Sequence, residues 1–184
     1  IEKRKFYTAL YHCMIHPSLA SDADGRYRGR DQQIHRAGLY KENAPPYHKV
    51  YSVFSLWDTY RALHPLLSIV DPDRTIDFVR TFLLQYKQGG KLPVWELGSC
   101  ETECMIGYHS VSVIADVMMK EIGVTRDAMG QPKYPFDYKL ALEAMIHSAR
   151  LKDSAFLDLS GQKLGYMGIE NTAESVSKLL EYAY

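Results

Sequence analysis

The amino-acid sequence predicts an all-α domain. Three observations lead there: apolar residues recur at three- and four-residue intervals along most of the chain, strict apolar–polar alternation is scarce, and Pro, Gly and Asp punctuate the periodic segments where helices should start and stop. Residues 2–16 place Phe6, Leu10, Cys13 and Met14 on one face, and Pro17 ends that helix. Residues 17–50 are irregular, with turn chemistry at Ser21-Asp22-Ala23-Asp24-Gly25 and Pro45-Pro46. The run Val50–Phe54 reads either as a strand or as the lead-in to the next helix. From Ser55 to Val70 the chain is apolar on most sides, as a buried helix is. Asp71-Pro72-Asp73 breaks it and caps a further amphipathic helix over 73–88, carrying Ile76, Val79, Phe82, Leu83 and Tyr86 and stopped by Gly89-Gly90. Residues 91–103 read as loop, 105–122 as a helix closed by Gly123, 124–135 as loop, and Phe136 or Asp137 to about Lys152 as helix. After an irregular stretch over 153–173, Glu174 opens the sixth helical segment. The tight turn at 71–73 makes an αα-hairpin, a unit that builds solenoids or closed α/α barrels. No repeat is visible, which disfavours a regular solenoid.

A chain of 184 residues with 46% hydrophobic content can bury one domain's core. Its 22 basic and 22 acidic side chains leave no basic footprint for nucleic acid, and no apolar run is long enough to span a membrane. The chain opens on Ile1 with no targeting segment and stops at Tyr184 in mid-pattern, so a piece of a longer polypeptide is expected. The three cysteines, Cys13, Cys100 and Cys104, are too few and too badly spaced for a disulfide framework or a zinc site and read as free thiols.

Three places could carry chemistry. The loop 93–103 sets Glu96, Glu101 and Glu103 beside Trp95, and glycoside hydrolysis needs two carboxyl groups around a sugar with an aromatic platform. Acidic residues also gather at helix starts for the dipole alone. Trp57-Asp58-Thr59-Tyr60-Arg61, with His64, puts charge into an apolar helix; Asp58 and Arg61 share a face, as a hydroxyl clamp or as a structural ion pair. Asp22-Ala23-Asp24-Gly25 offers oxygen ligands to calcium, or forms an Asx-type turn. His64 and His109 are each alone on a helix, more in the manner of core histidines than of zinc ligands.

Taken in order, these segments resemble one family. Phe6-Tyr7-Thr8-Ala9-Leu10-Tyr11-His12 and Asp22-Ala23-Asp24-Gly25-Arg26-Tyr27-Arg28-Gly29 look like the opening of the catalytic domain of family 92 glycoside hydrolases. So do Tyr51-Ser52-Val53-Phe54-Ser55-Leu56-Trp57-Asp58-Thr59-Tyr60-Arg61-Ala62-Leu63-His64-Pro65, the run from Gly89 to Leu97, and Glu101-Thr102 with Cys104-Met105-Ile106-Gly107-Tyr108-His109-Ser110. Gly165-Tyr166-Met167, Glu174 to Lys178 and Glu181-Tyr182-Ala183-Tyr184 complete a resemblance that spans essentially the whole chain.

The resemblance implies an exo-acting, inverting, calcium-dependent α-mannosidase that releases terminal mannose from oligosaccharides or glycans, secreted or periplasmic. It implies that residues 1–184 are part of an (α/α)6 barrel, with an N-terminal β-sandwich domain and the rest of the barrel outside this sequence. It makes Glu101 the general acid, with Glu96 the alternate, and Trp57, Asp58, Arg61, Trp95 and His109 the sugar-binding residues. Ca2+ is the implied cofactor, and its ligands are not identified. The family's usual Asn before the acid is Cys100 here, which bears on the tuning of the acid or on leaving-group preference. The family's base-supplying acidic pair follows the Glu-Tyr-Ala-Tyr motif, so residues 1–184 alone are expected to be inactive. The competing readings are another helical-barrel glycoside hydrolase or lyase, and a non-catalytic helical binding scaffold.

Overall fold

A computed structural model of the chain describes residues 1–37, 49–102 and 104–151. The segment from 152 onward, with its expected last helix and its motifs at Gly165 and Glu174–Tyr184, lies outside the described residues, as does Glu103. Within them the fold is mixed α/β and not all-α: 47% of residues are helical and 15% lie in strands. The helices are α1 (Glu2–Cys13), α2 (Leu56–Thr59), α3 (Leu63–Val70), α4 (Pro72–Gly89), α5 (Ser110–Met119) and α6 (Tyr138–Arg150). The strands are β1 (Ser18–Leu19), β2 (Arg26–Arg28), β3 (Ile34–Arg36), β4 (Tyr51–Ser52), β5 (Phe54–Ser55), β6 (Trp95–Leu97), β7 (Cys100–Glu101), β8 (Thr125–Arg126) and β9 (Pro132–Lys133). They pair antiparallel as β1–β4, β2–β3, β5–β6–β7 and β8–β9. Each strand is two or three residues long, too short for a period of two to show in the sequence.

The central helix α4 forms for the reasons its sequence offers. Asp71 caps it, accepting the Arg74 N–H at 3.3 Å, Pro72 occupies a first-turn position that needs no N–H, and Gly90 ends it in the left-handed conformation at φ 77°. Asp71 also ends α3, so the two helices form the expected αα-hairpin through one shared residue. The buried face of α4 carries Ile76, Phe78, Val79, Phe82 and Leu83. Phe54 meets Phe78 and Phe82 edge-on, with centroids 5.4 and 4.8 Å away, and Tyr51 meets Phe78 at 4.9 Å. Burial of each such ring contributes about 1.5–3 kcal/mol. Helices α3, α5 and α6 and strand β4 all pack on α4.

Two helices are shorter than expected. The segment 55–70 is divided, because Pro65 has no N–H to give the Arg61 carbonyl and its ring would collide with it. Pro65 is tolerated in the first turn of α3, which starts after Ala62. The helix expected over 105–122 begins only at Ser110, after Gly107 at φ 86°. None of α1 is buried, and its Phe6, Tyr7 and Tyr11 are exposed. No helix among the described residues is long and apolar enough to cross a membrane.

Candidate active site

Within the segment read as a loop, residues 95–101 form a hairpin. Gly98 and Ser99, at φ 56° and 69°, make the two-residue left-handed turn between β6 and β7. Leu97 pairs with Cys100, and Glu96 with Glu101. On the other edge β5 pairs with β6, setting Ser55 opposite Trp95. The Ser55 hydroxyl donates to the Asp58 carboxylate one turn into α2. One small sheet thus carries Trp95 and Glu101, which share one segment in the sequence, and anchors Asp58 from a separate one. Trp57 is 38% exposed and Asp58 is exposed. Glu101 is half-buried, and its two oxygens accept the Val94 and Trp95 N–H groups, both at 2.8 Å.

Glu96 occupies a different environment. It is 1% exposed, and its carboxylate accepts from the Ser52 hydroxyl (3.0 Å), the Val53 N–H (3.1 Å) and the Ser99 N–H (2.6 Å). Burial pushes its pKa above the ordinary glutamate range, against the opposing pull of these donors and of Gln85. Ser52 and Gln85 drew no attention in the sequence, because their contacts with Glu96 are made only by folding.

The break between α2 and α3 turns Tyr60 inward, where its ring stacks on His109 at 3.9 Å and 6°. His109 is 3% exposed and sits before the first residue of α5, not within the helix. The Arg61 guanidinium lies 4.9 Å from the centroid of the Tyr60 ring. Arg61, Tyr60 and His64 open onto a cavity of about 280 Å³ completed by Ser112 and Asp116 of α5. Ser112 and Asp116 are four apart on one helix face, the only sequence signal for their part in this wall. Gly107 makes the close approach of this corner possible: a Cβ there would lie 2.4 Å from His109 Nε2. Gly107→Ala is therefore expected to destabilise the domain by at least about 1–2 kcal/mol, the cost of a left-handed backbone for an L-residue. Urea denaturation measures it, and an unchanged midpoint would show that the corner accepts a side chain.

The segment Asp22–Gly25 forms the turn. Gly25 N donates to the Asp22 carbonyl at 2.9 Å, and Asp24 is taken up by Arg26 (2.7 Å) and Arg36 (3.6 Å). The Arg26 N–H and guanidinium hold the Asp24 carboxyl below its ordinary pKa. No group of three or more His, Cys, Asp or Glu side chains gathers among the described residues. Cys13, Cys100 and Cys104 are free thiols, as their spacing led one to expect.

The model of the glycosyl hydrolase family 92 catalytic domain matches residues 1–184. No curated protein matches the chain. Among solved structures, the family GH92 α-mannosidase BT3965 from Bacteroides thetaiotaomicron is 40% identical with a TM-score of 0.83, over 100% of this chain and 22% of that one. The same enzyme in complex with mannoimidazole matches 97% of this chain and 21% of its own, at 40% identity and a TM-score of 0.81. The family GH92 inverting mannosidase BT2199 from Bacteroides thetaiotaomicron VPI-5482 is 29% identical, with a TM-score of 0.78 over 98% of this chain and 23% of that one. The chain therefore spans less than a quarter of the length of these relatives. With its whole length matched by the family model and by solved members, the chain belongs to glycoside hydrolase family 92.

Proposed function

We propose that the protein containing this chain is an exo-acting, inverting α-mannosidase that releases terminal mannose from glycans. The observation that carries this reading is the 40% identity, over the entire chain, with a family GH92 α-mannosidase whose structure is also known with mannoimidazole. In this reading Glu101 is the general acid. It stands at the partly open edge of the β5–β6–β7 sheet, next to Trp95, whereas Glu96 is sealed inside and engaged with Ser52, Val53 and Ser99. A general acid has to touch the glycosidic oxygen, and that favours Glu101.

Trp57, Asp58, Arg61 and Trp95 then line the terminal-sugar subsite, with Asp58 preset by Ser55 as a hydroxyl acceptor. His109 supports this wall from behind, through its stack on Tyr60. Glu101 delivers its proton to the departing oxygen while a base on the opposite face activates water, the two carboxyl groups being about 6.5–9.5 Å apart in inverting enzymes. A calcium requirement belongs to the reading on family grounds.

The test uses the full-length protein and an α-mannobiose. β-Mannose is expected as the first-formed product by proton NMR, and thorough chelation is expected to lower the rate at least about tenfold, with recovery on adding calcium. First-formed α-mannose would overturn inversion, undiminished activity after chelation would overturn the calcium requirement, and no mannose at all would overturn the mannosidase reading.

A further inference from the structure

We propose that Glu96 is a positioning residue whose buried carboxylate holds the β6–β7 turn and thereby sets where Glu101 stands. The proposal rests on the reading of Glu101 as the acid. Three residues around Glu96 have left-handed backbone, Val53 (φ 70°), Gly98 (φ 56°) and Ser99 (φ 69°), and two of them are not glycine. Such backbone persists only where its surroundings over-determine it. Glu96 does this directly for two of them: Oε2 accepts the Val53 N–H at 3.1 Å, and Oε1 accepts the Ser99 N–H at 2.6 Å. It does so for the third through one hydroxyl. Gly98 N–H donates to Ser52 Oγ at 2.9 Å, and Ser52 Oγ–H donates on to Glu96 Oε1 at 3.0 Å.

The carboxylate therefore ties the kink between β4 and β5 to both residues of the turn. Only Cys100 separates that turn from Glu101, which pairs with Glu96 across the ribbon. Glu101 in turn grips the Val94 and Trp95 N–H groups, immediately before Glu96. The two carboxylates clamp opposite ends of one short ribbon, so loosening the turn at Glu96 moves the acid at the other end. A glutamine at position 96 cannot repeat the arrangement. It has one acceptor oxygen, and its NH2 would face the N–H of either Val53 or Ser99.

The test compares Glu96→Gln, Glu101→Gln and the double variant in the full-length protein. Ser52→Ala serves as a milder variant in case Glu96→Gln fails to fold. Glu96→Gln is expected to lower kcat on α-mannobiose at least about tenfold with little change in KM, since misplacing a reacting group costs turnover more than binding. A mannoside with a good leaving group is expected to lose less. The double variant is expected to be no worse than Glu101→Gln alone, because residues that act as a unit are not additive. Ser52→Ala should move the same way by a smaller factor. Additive losses, or equal losses on both substrates, would show that Glu96 only supports the fold and would overturn the proposal. Hydrogen exchange separates this from the mannosidase reading: the Val53 and Ser99 amides are expected to be protected in the parent and at least about tenfold faster in Glu96→Gln, while those in mid-α4 are unchanged. That comparison holds even if no mannoside is cleaved, and unchanged protection at Val53 and Ser99 would overturn the role of Glu96 on its own.

Discussion

Glu101→Gln is expected to cut turnover of an α-mannobiose by the full-length protein roughly 100-fold or more, the scale of a lost general acid. The side chain keeps its length and can still accept one of the Val94 and Trp95 N–H groups while its NH2 faces the other, so the urea midpoint of the variant is measured beside its turnover. What is lost is the proton. A sugar leaving group departs poorly without one, while a nitrophenolate departs well, so the aryl mannoside is expected to suffer far less than the disaccharide. The ratio of the two losses is the diagnostic quantity. A uniform loss would point to binding or folding, and near-normal disaccharide turnover would remove Glu101 from the role altogether.

Acidification is expected to weaken the domain through His64. The ring is 2% exposed, lies edge-on to Phe78 and Phe82, and finds no hydrogen-bond partner for either nitrogen among the described residues. Burial lowers its pKa from 6.5 to about 4. The sign follows from proton counting: between these values the unfolded chain binds a proton that the folded chain refuses. The contribution is therefore complete above pH 6.5 and is lost as pH falls toward 4, amounting to about 3 kcal/mol over that window. Carboxylates such as Asp24 and Asp31, both held below their ordinary pKa, begin to titrate at the low end and add their own slope. The comparison is thus between urea midpoints of the parent and of His64→Gln at pH 7 and pH 4.5. The parent is expected to fall further, and equal slopes would sink the assignment to His64.

The parts of this fold that were legible in sequence are those decided locally. Helix α4 carries its cap, its first-turn proline and its terminal glycine within its own length, and it forms where they say. Pro65 was an equally local signal for the divided helix, outweighed in the reading by the apolar run around it. Gly98-Ser99 between Leu97 and Cys100 was a hairpin signal of the same kind, hidden because the strands on either side are too short to alternate. The site divides along the same line. Trp95 and Glu101 meet within one hairpin, so their association could be read from spacing. The Ser52–Glu96 bond and the Tyr60–His109 stack join residues more than forty positions apart, and no pattern in one sequence announces them. The family, in contrast, was carried by long ordered motifs and not by any single residue's chemistry.

The residue shared by α3 and α4 also bears on the order in which the chain assembles. Asp71 ends one helix and caps the next, so the two can dock without any loop having to close. The β6–β7 hairpin that carries Glu101 is equally local, but the third strand β5 joins it only when Val53 and Phe54 reach Glu96, Val53 being 43 positions away along the chain. Loop-closure entropy therefore places the helical hairpin and the β6–β7 hairpin early on the folding route and the docking of β5 late. The sheet is thus completed only when β5, with Ser55 and the Asp58 it holds, docks on two hairpins that are already standing.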